Sequence, residues 1–304
     1  MGKRGWQSII WSAVTVLFLL SFMTPFIVFT FSFLLVPMVM LFVKSSTKRF
    51  IISYAVSLLV IVLLTQWHSW FLITLSLLML PTVLAMGTLY KRKAPARSVL
   101  TAGIVTIIAE ALLGLVCGYL FGFDPVARFK DFMQSSIDTM PPAMKELLPT
   151  DMEVYLNFIV QVIPLYLIFF ALFYAFVTHG VSRWLLNKSG EGIPGLRPMR
   201  EWMLQKSLVW IYLVAFVLDM FTTPDASSLI STLLMNAMPL LMLVFAVQAI
   251  GFLFFVSYAN RWKPVLPIIG IVILCVMPPL FLVYSLLGVF DVAFPIRERF
   301  KKNL

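Results

Sequence analysis

Eight apolar stretches occupy most of the chain: Ile9–Val43, Ile51–Leu64, Trp70–Tyr90, Val99–Phe123, Val154–Val181, Val209–Phe221, Leu229–Ala259 and Val265–Phe290. Most approach or exceed the ~20 residues an α-helix needs to cross about 30 Å of hydrocarbon. A chain in that solvent must satisfy its backbone polar groups internally, which leaves helices or a closed barrel. The runs are continuous and show no period-2 alternation, so they read as helices. The expected fold is all-α, a polytopic transmembrane helical bundle. Charged residues make up 12% of the 304 residues, against about 25% in a soluble domain. The longest polar interruption, 124–153, is too short to fold as a second soluble domain.

The formal charge of +10 would suit nucleic acid in a soluble protein. In a membrane chain it reads as topology and attraction to anionic headgroups. Sixteen of the twenty-three basic residues fall in five groups: Lys3–Arg4, Lys44 with Lys48 and Arg49, Lys91–Lys93 with Arg97, Arg183 to Lys206, and Arg261 with Lys263. The polar segments between them are poor in bases, so basic and non-basic connections alternate. The positive-inside rule then places the N-terminus in the cytoplasm. The run 9–43 has basic groups at both ends and must be a hairpin, broken at Met23-Thr24-Pro25. Lys3 and Arg4 before an apolar run mimic a signal peptide. The run continues too far and has no small-residue cleavage site, so it is expected to be a retained first helix. The tail, with Arg297, Arg299, Lys301 and Lys302, looks cytoplasmic, so Pro278–Pro279 is expected to split the last segment into a re-entrant pair. Eight crossings follow from that split, nine without it. Trp6, Trp67, Trp70, Trp184, Trp202 and Trp262 mark run edges, where an amphipathic ring prefers the headgroup level. Cys117 and Cys275 lie inside apolar runs without metal-ligand spacing and read as small core residues.

Residues 124–153 separate an N-terminal half, 1–123, from a C-terminal half, 154–304. Asp124 can cap a helix with Pro125 in its first turn. Val126, Phe129, Met133, Ile137 and Met140 recur at spacings of three and four, which describes an amphipathic helix on the extracytoplasmic surface. It reads either as a lid over a cavity or as a connector covering helix ends. Pro141–Pro142 ends it, and Thr150 with Glu153 matches a capping box for the next crossing.

Glu110 is the leading candidate for chemistry, because a carboxyl near the middle of an apolar helix faces a cavity or a partner. It lies in a row of small residues every four positions: Ser98, Ala102, Thr106, Glu110, Gly114, Gly118 and Gly122. That row reads as a close helix-packing face. Glu110 then either fixes packing through a neighbouring helix or lines a ligand or proton site. Asn157 and Gln161 share a face before Pro164, and Asn236 precedes Pro239 with Gln248 deeper. Such polar breaks are ligand sites in some transporters and interhelical hydrogen bonds in other proteins. His68 sits in the expected outer turn beside two tryptophans, as an interfacial residue or a ligand contact. His179 is expected near the cytoplasmic end of its helix. The glycine-rich stretch Ser189–Gly195 lacks the lysine of a phosphate loop and reads as a flexible connector. No HExxH, GxSxG, paired intramembrane aspartate or nucleotide-binding motif is present. No catalytic, metal or cofactor site is therefore expected, and the chain is expected not to be an enzyme. The expected partners are the lipid bilayer, a small molecule and another membrane protein, with no nucleic acid.

Residues 9–123 resemble the integral-membrane substrate-binding (S) subunits of energy-coupling-factor vitamin transporters. The likeness rests on a short hairpin, a short third helix, the uncharged turn Thr65-Gln66-Trp67-His68-Ser69-Trp70, a fourth helix with Leu80-Pro81 and Gly87, and basic Lys91-Arg92-Lys93. The whole chain resembles the YybS-like family of functionally uncharacterised polytopic proteins of Gram-positive bacteria. The first resemblance implies a vitamin-like ligand and an ATPase-driven partner. S subunits dock that partner through alanines four apart on the first helix, where this chain has Ser8 and Ser12. The second implies the bacterial plasma membrane and a link to a membrane-bound cyclic-di-AMP phosphodiesterase. Two functions follow as expectations. One is a transport-related protein that binds a small molecule between its helices, with Glu110 lining the site. The other is a regulatory or scaffold subunit that assembles through the Gly114–Gly122 face.

Overall fold

The computed structural model describes residues 3–145, 148, 151–222 and 228–298. Its helices run in the order α1 (Lys3–Leu20), α2 (Ile27–Thr30), α3 (Leu35–Lys44), α4 (Thr47–Thr65), α5 (Ser69–Leu78), α6 (Leu80–Lys91), α7 (Ala96–Leu120), α8 (Pro125–Asp138), α9 (Pro142–Lys145), α10 (Met152–Gln161), α11 (Ile163–Lys188), α12 (Lys206–Phe221), α13 (Leu229–Ala259), α14 (Val265–Val276) and α15 (Phe281–Ala293). The described residues contain no strand, so backbone polar groups are satisfied within helices, as lipid requires.

By length and composition, five helices can cross a membrane, or seven when each of two bent pairs counts as one span. The longest candidate, Thr47–Lys91, doubles back at Gln66–His68, where Gln66 has φ +45°. The Tyr54 hydroxyl on α4 lies 2.7 Å from Ser76 Oγ on α5, so the two legs run side by side. The expected outer turn is therefore present. The break at Thr24-Pro25 is present too: α1 stops at Leu20 and Thr24 is extended. At Pro278–Pro279, α14 and α15 meet at 119°, a sharp reversal of the kind two successive prolines impose. The crossing number and the side of the N-terminus rest on the charge pattern.

Helix ends follow local chemistry. Asp124 accepts the amides of Val126 and Ala127 and caps α8, whose apolar residues Val126, Phe129, Met133 and Ile137 form its less exposed stripe. Thr150 of the expected capping box lies outside the described residues; the side chain of Asp151 caps α10 by accepting the Val154 amide. Two basic residues, Lys93 (φ +51°) and Arg261 (φ +55°), take the left-handed position that closes α6 and α13. At α13 the Arg261 amide donates to Tyr258 O (3.1 Å) and Trp262 to Ser257 O (2.8 Å). Glycine usually fills that position; a cation there gains from the last carbonyls of the helix.

The chain divides into two compact units, and they are not the expected halves 1–123 and 154–304. The first comprises 1–131 and 167–196, the second 132–166 and 197–304. In the first unit α1 packs on α3 and α4, α3 on α6, and α6 on α7. The core joins Met38, Phe42, Tyr54, Met86, Tyr90 and Val99 to Tyr174, Ala175, Leu186 and Ile193. That is why 167–196 returns to it. The Tyr174 hydroxyl donates to Phe31 O, and Tyr90 Oη lies 2.9 Å from His179 Nδ1. His179 is buried against Tyr90. The Phe42 ring lies against the bare Cα of Gly87, leaving no room for a side chain there. The stretch Ser189–Gly195 is not a loose connector. Ile193 is buried, its amide donates to Asn187 Oδ1 (2.5 Å), and Glu191 pairs with Lys44 (2.8 Å).

In the second unit α13 is the central element. α15 crosses it where Gly288 meets the Phe245 carbonyl. α12 packs on it through Tyr212, whose ring centroid is 5.1 Å from that of Phe245 and whose hydroxyl lies 2.8 Å from Ser285 Oγ. α14 folds back on α15, with Tyr284 Oη donating to Gly270 O at 2.9 Å.

Candidate functional site

Glu110 lies on α7 opposite the start of α6. Pro81 has no amide hydrogen to give, and the helix ladder is interrupted there. One residue on, the Thr82 amide donates to Glu110 Oε1 at 2.8 Å. The Thr82 hydroxyl lies 2.9 Å from the same oxygen and 3.0 Å from Thr106 Oγ1. Thr106 in turn donates to Ala102 O at 2.7 Å. Glu110 is half-buried and acts as an acceptor for the first turn of a neighbouring helix, where a carboxylate is favoured. Of the two roles expected for it, the hydrogen bond to a neighbouring helix is present. Among the described residues no three His, Cys, Asp or Glu side chains come together as a metal set.

Of the small-residue row, Thr106 and Glu110 meet Thr82 of α6, whereas no neighbouring helix among the described residues packs on the glycines. A Cβ on Gly114 or Gly122 would meet nothing within 4 Å, and one on Gly118 would meet only the turn at Phe123–Pro125 that follows it. The close approach is at Gly103, where a Cβ would come 2.9 Å from Met86 Sδ and 3.3 Å from Ala175 Cβ. The reason is helical geometry. At 3.6 residues per turn, a strict four-residue repeat rotates by about 40° at each step. Ala102 and Thr106 are only partly buried, and the inward face of α7 runs through Val99, Leu100, Gly103 and Ile107.

The other candidates have separate surroundings. His68 is exposed. Asn157 and Gln161 belong to the second unit, whereas Glu110 and His68 belong to the first. Gln161 O accepts Asn236 Nδ2 at 2.8 Å, and the Leu165 amide donates to Asn236 Oδ1 at 2.9 Å. Gln161 O and Leu165 N–H would normally bond to each other in a continuous helix. At the Pro164 break the Asn236 amide is inserted between them and satisfies both. Two surface hollows border Trp262 and touch none of these four residues.

A buried polar cluster was not legible as a site. Asp291 on α15 is 1% exposed and receives Arg297 Nη2 at 2.6 Å, Arg297 Nε at 2.9 Å and Gln248 Nε2 at 2.6 Å. Arg297 Nη1 donates to Arg200 O at 2.8 Å. Arg297 is one of the four tail bases; the others, Arg299, Lys301 and Lys302, lie outside the described residues. The available signal was an acid directly after the apolar run 265–290, followed six residues later by a base beyond Pro295.

Replacing Glu110 tests its capping role. Glu110→Gln keeps an oxygen acceptor for Thr82 and is expected to change stability by less than about 1 kcal/mol. Glu110→Ala is expected to cost about 1–3 kcal/mol. Thermal unfolding in detergent separates them. Equal losses would mean that the charge, and not the acceptor, matters.

Residues 12–292 match the family described as predicted membrane protein (DUF2232). The chain is 22% identical over 273 residues to an uncharacterised protein, YybS, of Bacillus subtilis (strain 168), with 87% of each chain covered. No solved structure matches the chain.

Proposed function

The chain belongs to the DUF2232 family of predicted membrane proteins, and from that premise we propose that it is a non-enzymatic assembly subunit of the bacterial plasma membrane, with regulatory or scaffold work. The observation that carries the reading is the C-terminal half of α7. A helix facing lipid on one side still buries its other side in its own bundle. From Ala111 to Leu120, α7 has no buried residue on any side: Leu112, Leu113, Val116, Tyr119 and Leu120 are all exposed, and Gly114 has open space around it. In lipid, helices associate by close packing at small residues, and Gly114, with nothing within 4 Å of an added Cβ, offers such a position. Small-molecule transport through Glu110 has less support, because its Oε1 already serves Thr82. Ser8 does not offer the S-subunit docking face: it is buried, and its Oγ lies 2.8 Å from Ser53 Oγ. The membrane-bound cyclic-di-AMP phosphodiesterase implied by the family resemblance is the first partner to test.

Gly114→Leu places a side chain in open space, so the fold is expected to keep its melting temperature while assembly is lost. Native mass spectrometry of protein extracted from its own membranes reads the outcome. A second polypeptide present with the wild type and absent with Gly114→Leu is the expected result. A small molecule as sole companion, lost on Glu110→Gln, would replace this reading with ligand binding.

A further inference from the structure

The second unit contains a cavity of about 360 Å3 at the C-terminal end of α13, where Met199 and Arg200 face Ser257, Tyr258 and Trp262. Its frame is fixed from several sides. A Cβ on Gly251 would come 2.9 Å from Met199 O, so the turn Met199–Glu201 lies directly on the α13 backbone. The Arg200 carbonyl is held by the buried Arg297. The left-handed Arg261 turns the chain back, and the Trp262 amide is bonded to Ser257 O.

Two polar groups in this mostly apolar cavity have unused capacity. The Arg200 guanidinium lies 4.0 Å from the Tyr258 ring centroid and forms no ion pair among the described residues. Stacking on a ring occupies its face and leaves the in-plane N–H groups for an anion. Ser257 is 2% exposed, and its Oγ has no hydrogen-bond partner. A buried hydroxyl without a partner gains a hydrogen bond from any ligand oxygen that reaches it, and of the buried unpartnered hydroxyls among the described residues Ser257 is the one that lines this cavity. A second cavity of about 370 Å3 shares Trp262 and is lined by Lys263 and by Val265, Leu266 and Ile269 of α14. So a compartment with a cation and a hydroxyl and an apolar compartment lined by one lysine share Trp262.

We propose that these two cavities together bind one anionic phospholipid. Its phosphate takes the Arg200 guanidinium and the Ser257 hydroxyl, and an acyl chain runs along Val265, Leu266 and Ile269. The shared chemistry is a phosphate anion, which guanidinium recognises through paired N–H donors. A lipid source is favoured because the apolar compartment has no use for a free ion, and because basic pockets beside membrane helices select anionic headgroups.

The test is native mass spectrometry of the full chain in detergent with added dioleoyl phosphatidylglycerol or dioleoyl phosphatidylcholine, with and without millimolar inorganic phosphate. The wild type is expected to retain one phosphatidylglycerol and little phosphatidylcholine, unaffected by phosphate. Arg200→Gln is expected to weaken phosphatidylglycerol retention by about tenfold or more, and Ser257→Ala by a few-fold, at unchanged melting temperature. If Arg200→Gln does not fold, Ser257→Ala decides, since it removes one oxygen and moves nothing. Equal retention of the two lipids, or retention unchanged in the variants, overturns the proposal. Displacement by phosphate would make a free phosphate compound the ligand, and that also overturns it.

Discussion

Replacing Gly288 with valine is expected to unfold the second unit. At this position α15 crosses α13 so closely that an added Cβ would overlap the Phe245 carbonyl oxygen. The obstacle is backbone, in the middle of a 31-residue helix, so no side chain can rotate out of the way. Overpacking that flexible side chains absorb costs about 1–3 kcal/mol. A clash with fixed backbone on a central helix should exceed that range and force the helices apart. Tyr212, packed on Phe245 and bonded to Ser285, would lose both contacts. Fluorescence-detected size exclusion should show aggregated or absent protein for Gly288→Val, and a reduced melting temperature for Gly288→Ala. Gly114→Val is the matching control, because open space surrounds that position. A Gly288→Val protein with wild-type melting behaviour would mean that α13 and α15 do not cross at this point.

Removing the carboxylate of Asp291 is the second large effect. Asp291→Leu leaves the Arg297 guanidinium buried with only the Arg200 carbonyl to bond, and leaves Gln248 Nε2 without its 2.6 Å acceptor. Breaking a buried pair by deleting one partner typically costs about 3–5 kcal/mol, because an uncompensated charge stays in a low-dielectric site. The double variant Asp291→Leu/Arg297→Met removes both charges, and is expected to recover most of that loss. Thermal unfolding of the single and double variants gives the comparison. If the double variant is as unstable as the single one, then packing around Asp291, and not its charge pair, holds α15 in place.

Much of the framework was legible in local sequence. The break at Thr24-Pro25, the reversal at Pro278–Pro279, the turn at Gln66–His68 and the amphipathic α8 capped by Asp124 all depend on residues within a few positions of one another. Membership of a membrane-protein family was legible for a different reason, since it follows from the overall pattern of apolar runs. The candidate site was only partly legible. Glu110 stood out as an acid in an apolar helix, but its partner Thr82 had no distinguishing mark beyond following Pro81. That no helix of its own unit packs on Gly114 was not legible, because a four-residue period drifts around a 3.6-residue helix and away from the inward face at Gly103 and Ile107. Asn157 and Gln161 read either as ligand contacts or as interhelical hydrogen-bonding groups; that Gln161 O meets Asn236, seventy-five residues later, was not legible.

The sequence by itself determined the solvent and the elements. Hydrophobicity, proline, glycine and charge act on each segment separately, and lipid enforces helices wherever a run is long enough. Tertiary structure alone decided which polar group answers which: Glu110 the amide of Thr82, Asn236 the break at Pro164, Arg297 the carboxylate of Asp291, and residues 167–196 the first unit. In an apolar interior each such group must find a partner, but composition does not state which of the distant candidates comes within hydrogen-bond reach.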